Sequence, residues 1–89
     1  MRLLNNKVAI VTGSSRGIGA QIAITLAEAG ASVVINYSSN QTPADKVVSD
    51  INANGGKAIA IKADISNPDE VKLMFDSAIN QFGKIDILI

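Results

Sequence analysis

The residues that decide the fold are Thr12-Gly13-Ser14-Ser15-Arg16-Gly17-Ile18-Gly19. They follow a short apolar run, Val8 to Val11, and lead directly into a segment whose apolar residues recur at helical spacing. A strand, a glycine-rich turn and a helix start can together bind phosphate. Glycines let the backbone approach a ligand closely, and the free N–H groups of a helix N-terminus attract anionic oxygens. The stretch therefore predicts a phosphate-binding turn.

The glycines of this turn follow a G-x-x-x-G-x-G pattern, which excludes two common alternatives. A P-loop closes with Gly-Lys-Ser or Gly-Lys-Thr, which is absent here, and the ordinary dinucleotide spacing is G-x-G-x-x-G. We expect Gly13 to turn the chain out of the strand and Gly17 to let a pyrophosphate approach the helix. Gly19 lacks a Cβ and would let the helix pack close to the sheet. A tight turn without a ligand is the structural alternative.

The whole chain alternates strand and helix patterns with short connections. Apolar or β-branched runs predict strands at residues 7–12, 32–37 and 57–63, and a fourth strand that begins at residue 85. Segments with helical spacing predict helices between them, each ended by a glycine-containing stretch. The order β-α-β-α-β-α-β predicts an α/β fold with a Rossmann-like, doubly wound parallel sheet and right-handed crossovers.

Two helix starts carry residues that commonly cap helices. Thr42 is expected to cap the second helix, with Pro43 at its first position and Asp45 near its N-terminal dipole. Ser66 and Asp69 are assigned to capping of the third helix. Apolar residues at helical spacing predict the buried faces of the first and third helices: Ile18, Ile22, Leu26 and Ala29, and Val71, Met74, Phe75, Ala78, Ile79 and Phe82.

The composition excludes several classes of site. Eight basic and eight acidic side chains balance, which argues against a nucleic-acid or anionic-membrane surface. Cysteine and histidine are absent, and the aspartates show no convergent pairing, so no metal site is expected. Residues 1–7 carry no cleavage signal, and no apolar stretch approaches the roughly 18 residues of a membrane span. We expect a soluble protein of the reducing cytoplasm.

The length and the last residues predict a larger protein. The chain has 89 residues, few for an open α/β sheet, and it stops inside an apolar run at Ile89. A buried parallel strand in that position leaves an unpaired sheet edge, which proteins usually cover. We therefore expect residues 1–89 to be the N-terminal part of a larger single-domain protein. An edge strand is the simpler alternative.

The glycine turn resembles the cofactor signature of the short-chain dehydrogenase/reductase family, in its single-domain branch. The strand end at Asn36-Tyr37, the Asp64-Ile65-Ser66 stretch and residues 83–88 are also similar to that family. The resemblance implies a nicotinamide dinucleotide cofactor and hydride transfer to or from a carbonyl or alcohol. It also implies that the turn contacts the cofactor through Gly13, Ser15, Arg16, Gly17, Ile18 and Gly19.

The end of the second predicted strand indicates which dinucleotide is bound. An NAD site usually has an Asp or Glu there, which accepts hydrogen bonds from the adenosine ribose. Residues 29–44 contain no acid, and Arg16 in the turn adds a positive charge that can reach a 2′-phosphate. We therefore expect NADP(H) in preference to NAD(H). The neutral residues expected to contact the phosphate are Asn36, Tyr37, Ser38 and Ser39.

The third predicted strand ends at the same edge of the sheet. The resemblance assigns Asp64, just after that strand, to the adenine amino group and places Ile65 near the adenine ring. A loop aspartate that accepts local backbone N–H groups is the alternative.

The catalytic residues of the family are not expected within this chain. Family members use a Ser and a Tyr-x-x-x-Lys arrangement that lies beyond the fourth strand. Tyr37 is the only tyrosine here, and Gln41 stands four positions after it. The parent protein is expected to be an NADP(H)-dependent oxidoreductase that acts on a small carbonyl or alcohol as a homotetramer or homodimer.

Two other function classes are considered. One is a nucleotide-binding half-fold without chemistry; a coding sequence that continues with Asn-Ala-Gly and Tyr-x-x-x-Lys would instead support the oxidoreductase. The other is a receiver-type signalling domain, which needs an acid cluster after its first strand; Val11-Thr12-Gly13 has none.

Overall fold

A computed structural model describes residues 3–89, so Met1 and Arg2 lie outside the described residues. The described residues form a four-stranded parallel sheet and three helices. The elements in chain order are β1 (Val8–Val11), α1 (Gly17–Glu28), β2 (Ser32–Tyr37), α2 (Gln41–Ala53), β3 (Lys57–Lys62), α3 (Pro68–Phe82) and β4 (Ile87–Leu88).

The strand order in the sheet is β3-β2-β1-β4, and every neighbouring pair is parallel. In the register, Val8 lies beside Ser32 and Ser32 beside Lys57, so these three strands begin together. Their carboxyl ends therefore share one edge of the sheet. The order reverses at β1, which makes the edge above β1 the place where open α/β sheets bind ligands. The predicted Rossmann-like fold is confirmed.

The core lies on both faces of the sheet because β1 and β2 are buried on both sides. Val33 and Ile35 pack in one cluster with residues of α1 and α2. Val34, between them, packs on the opposite face with Met74 of α3. Successive side chains of a strand point to opposite faces, so an unbroken apolar run suits a strand covered by helices on both sides.

The N-terminus of α2 differs from its prediction. The cap is Asn40, whose side chain accepts a hydrogen bond from the Thr42 amide at 3.2 Å, so Thr42 lies inside the helix. Pro43 is then the third helical residue, and the first turn contains no acid, which leaves Asp45 beyond it. Asn is as good a cap as the hydroxyl residues, so either residue could have begun this helix.

The cap of α3 also differs from its prediction by one residue, because it is Asn67 and not Ser66. Asn67 accepts hydrogen bonds from the amides of Asp69 and Glu70, and Pro68 occupies the first helical position. Ser66 instead donates to Asp64, so its assignment to capping is wrong. Asp69, which was also assigned to capping, lies in the first turn, where its charge suits the helix dipole.

Two apolar residues of the predicted stripes are exposed. Ile18 is 82% exposed in the first turn of α1, whose buried residues, Ala23 and Ala27, lie further along the helix. Ile79 is 47% exposed, since Met74 and Ala78 define the buried face of α3 and Ile79 lies about 100° around the helix from Ala78.

The fourth strand is shorter than predicted and is joined to β1 by a side chain. It begins at Ile87, and Asp86 before it accepts a hydrogen bond from the Val8 amide at 2.8 Å and pairs with Lys84 at 3.2 Å. The Val8 amide, followed by Lys84, lowers the pKa of the Asp86 carboxyl below its ordinary value. Asp86 thus has partners that the sequence pattern does not reveal.

The capping role of Asn67 predicts the effect of its removal. Asn67→Ala should lower the free energy of unfolding by about 1 kcal/mol, because the amides of Asp69 and Glu70 lose their acceptor. Urea denaturation measures the change. Asn80→Ala, an exposed position of the same helix, is the control and should stay within about 0.5 kcal/mol of the parent. Equal stabilities of the two variants would contradict the cap.

Candidate functional site

The turn after β1 has a backbone that favours glycine. Gly13 has a φ of 61° and Gly17 a φ of 65°, both in the left-handed region that other residues rarely adopt. Gly13 redirects the chain at the end of β1, as predicted, and Gly17 opens α1. Side chains at these two positions would strain the turn even where space is available.

Gly19 is required for a different reason, which is space. A Cβ built on Gly19 would lie 2.6 Å from the carbonyl oxygen of Gly13 and 3.1 Å from the Cα of Ser14. These are backbone atoms, which cannot move aside as a flexible side chain can. The missing Cβ therefore lets α1 pack against the turn itself, a closer contact than the predicted one with the sheet.

The N-terminus of α1 is open to an anion. Its N-cap position is Arg16, which makes no side-chain capping hydrogen bond, and its first turn contains no acid. The first amides of a helix have no partner within the helix, and together with the helix dipole they attract negative charge. The other two helices have asparagine caps, so α1 alone among the described helices begins without a side-chain cap.

The turn is attached to the end of β2 by hydrogen bonds in both directions. The Gly13 amide donates to the Asn36 side-chain oxygen at 3.0 Å, and the Ser14 amide donates to the Asn36 carbonyl at 3.1 Å. In return, the Asn36 amide donates to Ser14 Oγ at 3.0 Å. Ser14 Oγ also donates to the Val11 carbonyl at 2.6 Å.

A cavity of about 330 Å³ lies at the carboxyl edge, between the turn and the ends of β2 and β3. Most of the predicted site residues line it together: Gly13, Ser15, Arg16, Asn36, Tyr37, Ser38, Ser39, Asp64 and Ile65. The predicted residues that do not line it are Gly17, Ile18 and Gly19, which follow along the first turn of α1.

The cavity wall from β2 differs in character from residue to residue. Ser38 and Ser39 are exposed and polar, and Tyr37 is half-buried. Asn36 is only 2% exposed, and its amide group already bonds to the protein. Arg16 is also exposed and lines the same cavity, and Asp64, at the β3 end, is the one acid among the lining residues.

Asp64 forms the far end of the cavity with its carboxylate partly engaged. Asp64 Oδ1 accepts hydrogen bonds from Ser66 Oγ at 2.6 Å and from the Ser66 amide at 2.9 Å. The Ser66 hydroxyl, followed by the Ser66 amide, lowers the pKa of the Asp64 carboxyl below its ordinary value. The Asp64 amide donates to Glu70 at 3.0 Å, which ties the loop to α3. Ile65, beside it, is 56% exposed to the cavity opening and solvent.

The sequence interpretation missed two lining residues and one residue beneath the cavity. Asn40 and Ala63 line the cavity, and Ser14 supports it from below with 0% exposure. Asn40 directly follows the predicted polar loop residues and could have been included with them. The role of Ser14 has no sequence signal, because it depends on the packing of the turn against β2.

Residues 3–89 show neither a metal-binding cluster nor a membrane-spanning helix. No group of three or more acidic, histidine or cysteine side chains converges there to hold a metal ion. Within the same residues, the helices are too short or too polar to cross a membrane.

Comparison with known proteins gives a family for this fold and turn. The family model described as short chain dehydrogenase matches residues 7–89. Versicolorin reductase 1 of Dothistroma septosporum is 58% identical over 85 residues, which are 96% of this chain and 32% of that protein.

Solved structures of two bacterial proteins are similar to the chain. A hydroxysteroid dehydrogenase from Escherichia coli has a TM-score of 0.90 and 47% identity, over 96% of this chain and 36% of its own. A short chain dehydrogenase from Burkholderia cenocepacia J2315 in complex with NADP has a TM-score of 0.92 and 48% identity, over 97% of this chain and 35% of its own. The chain thus spans about a third of the length of these relatives.

The hydrogen bonds to Asp64 predict how it titrates. Ser66→Ala removes the hydroxyl donor that most favours the carboxylate, so the pKa of Asp64 should rise towards its ordinary value. A carboxyl-detected NMR titration measures this change. Since the folded-state pKa is lowered, the bonds stabilise the fold at neutral pH, and that contribution is lost as the pH falls through the lowered pKa.

The control for this titration is Ser77→Ala, an exposed serine of α3 that should leave the Asp64 titration unchanged. An Asp64 pKa that is the same in Ser66→Ala as in the parent would contradict the hydrogen bond.

Proposed function

The chain belongs to the short-chain dehydrogenase family, and from that premise we propose that it is the NADP(H)-binding part of an oxidoreductase. The observation that carries the proposal is the cavity in which the glycine turn, Arg16 and the acid-free end of β2 face one another. The parent protein reduces a carbonyl or oxidises an alcohol, and residues 1–89 are its N-terminal part.

The turn binds the pyrophosphate of the dinucleotide. The uncapped N-terminus of α1 supplies backbone donors, Gly17 leaves the approach to them free of a side chain, and Gly19 lets α1 pack against the turn. Ile18 follows within the same first turn of the helix. A Cβ on Gly19 would displace the backbone of this turn. The turn therefore keeps its anion-binding shape only with glycine at position 19.

The end of β2 selects the phosphorylated cofactor. Arg16 pairs with the 2′-phosphate, and the hydroxyls of Ser15, Ser38 and Ser39 donate to it. No carboxylate at this end of β2 repels the phosphate, because residues 29–44 contain no acid. Tyr37 lies beside the adenosine. The known complex of a Burkholderia relative with NADP supports this preference.

The adenine lies at the β3 end of the cavity. The hydrogen bonds to Ser66 use Oδ1 of Asp64, and no hydrogen bond among residues 3–89 reaches Oδ2. That oxygen can accept from the adenine amino group, while Ile65 offers an apolar surface to the ring. The lowered pKa keeps Asp64 ionised as an acceptor.

When bound, NADPH supplies a hydride, and the described residues contribute by holding and orienting it. Their single tyrosine, Tyr37, lines the cofactor cavity, and the residue four positions after it is Gln41 in place of a lysine. The acid, its lysine and the serine that assists belong to the remainder of the parent protein. The parent is a cytoplasmic homotetramer or homodimer that takes a small carbonyl or alcohol substrate.

The alternative is a half-fold that binds the nucleotide without chemistry. The absence of a Tyr-x-x-x-Lys arrangement within the chain favours it for this segment taken alone. The parent coding sequence separates the two. Asn-Ala-Gly and Tyr-x-x-x-Lys after Ile89 would support the oxidoreductase.

The 2′-phosphate role of Arg16 predicts a selective effect. Arg16→Ala should weaken NADPH binding by about tenfold or more, since a charge-assisted contact to phosphate is lost, and should change NADH binding much less. Fluorescence titration with both cofactors measures the two dissociation constants. Lys72→Ala, which removes an exposed charge from α3, should alter neither. An equal loss of both cofactors would contradict the role of Arg16.

A further inference from the structure

The two buried polar side chains among the described residues lie together at the turn. Ser14 is 0% exposed and Asn36 is 2% exposed, and the rest of the described core is apolar. Burying a polar group costs free energy unless its hydrogen bonds are made, so most fully buried positions hold apolar residues. Two such residues in contact therefore call for an explanation beyond packing.

All polar atoms of these side chains have partners within the protein. The oxygen of the Asn36 amide accepts from the Gly13 amide at 3.0 Å, and its nitrogen donates to the Ala63 carbonyl at 3.1 Å. Ser14 Oγ links the Asn36 amide to the Val11 carbonyl. We call these bonds the Ser14–Asn36 network.

The Asn36 side chain bridges the two walls of the cavity. Gly13 belongs to the turn that receives the pyrophosphate, and Ala63 directly precedes Asp64 on the adenine side. An amide carries an acceptor and a donor a few ångströms apart, so one side chain can hold both walls at a set separation. Aspartate has no donor for Ala63, and leucine offers neither bond.

We propose that Asn36 and Ser14 are positioning residues that hold the glycine turn and the β3 end at the separation a dinucleotide requires. Asn36 does not contact the 2′-phosphate itself, because its amide is already bonded on both sides. The inference rests on the proposed function and assigns cofactor selection and site geometry to different residues. Ser38, Ser39 and Arg16 select the cofactor, and the Ser14–Asn36 network sets the geometry for either cofactor.

The proposal predicts a loss of affinity that does not distinguish the cofactors. In Asn36→Ala the turn populates other conformations, and the apparent dissociation constant rises as the competent fraction falls. We expect NADPH and NADH to weaken by the same factor, about tenfold or more. A direct phosphate contact would instead weaken NADPH alone, so equal losses support the proposal and a loss confined to NADPH overturns it.

The matched control is Asn52→Ala. Asn52 also accepts a backbone N–H through its side-chain oxygen, from Ala58 at 3.1 Å, but it does so at the opposite edge of the sheet. Asn52→Ala removes the same kind of bond and should leave both dissociation constants within about twofold of the parent. If Asn36→Ala binds both cofactors as well as Asn52→Ala does, the proposal is wrong.

A measurement on the unaltered protein tests the network even if the Asn36→Ala variant does not fold, and it requires no cofactor. Gly13 is exposed, yet its amide is hydrogen-bonded to Asn36, so its hydrogen exchange should be slowed well below the rate of a free amide. Ser14→Ala, which leaves Asn36 in place but removes the hydroxyl, should speed that exchange. Exchange of the Gly13 amide at the free rate in the unaltered protein would overturn the network.

The same measurement separates the two proposals. If the unaltered protein binds neither NADPH nor NADH, the proposed function fails, and the network is then judged by the protection of the Gly13 amide alone.

Discussion

The structure depends on the attachment of one turn to a neighbouring strand. The turn after β1 adopts left-handed backbone at Gly13, and hydrogen bonds from Gly13 and Ser14 to Asn36 hold it against β2. α1 then leaves the turn with its N-terminus over the carboxyl edge, where Gly19 permits contact with the Gly13 carbonyl. These bonds fix the position of the turn, and the cavity lies between it and the ends of β2 and β3. The sheet and helices supply the rigid support.

Much of the fold could be predicted because its signals are local or periodic. An unbroken apolar run such as Val33 to Ile35 indicates a strand buried on both faces, and the strand–helix alternation then leaves few topologies. The cap residues were less predictable, because Asn40 and Thr42, or Ser66 and Asn67, are equally suitable by type. Which of them caps depends on where the preceding strand releases the chain, and that is a tertiary property.

The site shows the same division between pattern and packing. Its chemistry follows from residue types, so Arg16 and the acid-free loop could be identified from the sequence. The different roles of Asn36 and Ser38 could not, because the sequence predicted that both contact the phosphate. Asn36 points beneath the turn and is buried, whereas Ser38 lies past the strand end in solvent. Burial and hydrogen-bond partners, rather than composition, distinguish a residue that shapes a cavity from one that faces its ligand.

The most direct test of dinucleotide binding at the glycine turn is an amide chemical-shift titration with NADPH. Binding at the turn predicts the largest shifts at Gly13 to Gly19, with smaller ones at Ser38, Ser39 and Asp64, and little change along α3. Saturable shifts confined to α3 would contradict it. The absence of shifts at millimolar cofactor would also contradict it, because that concentration detects binding as weak as about 4 kcal/mol.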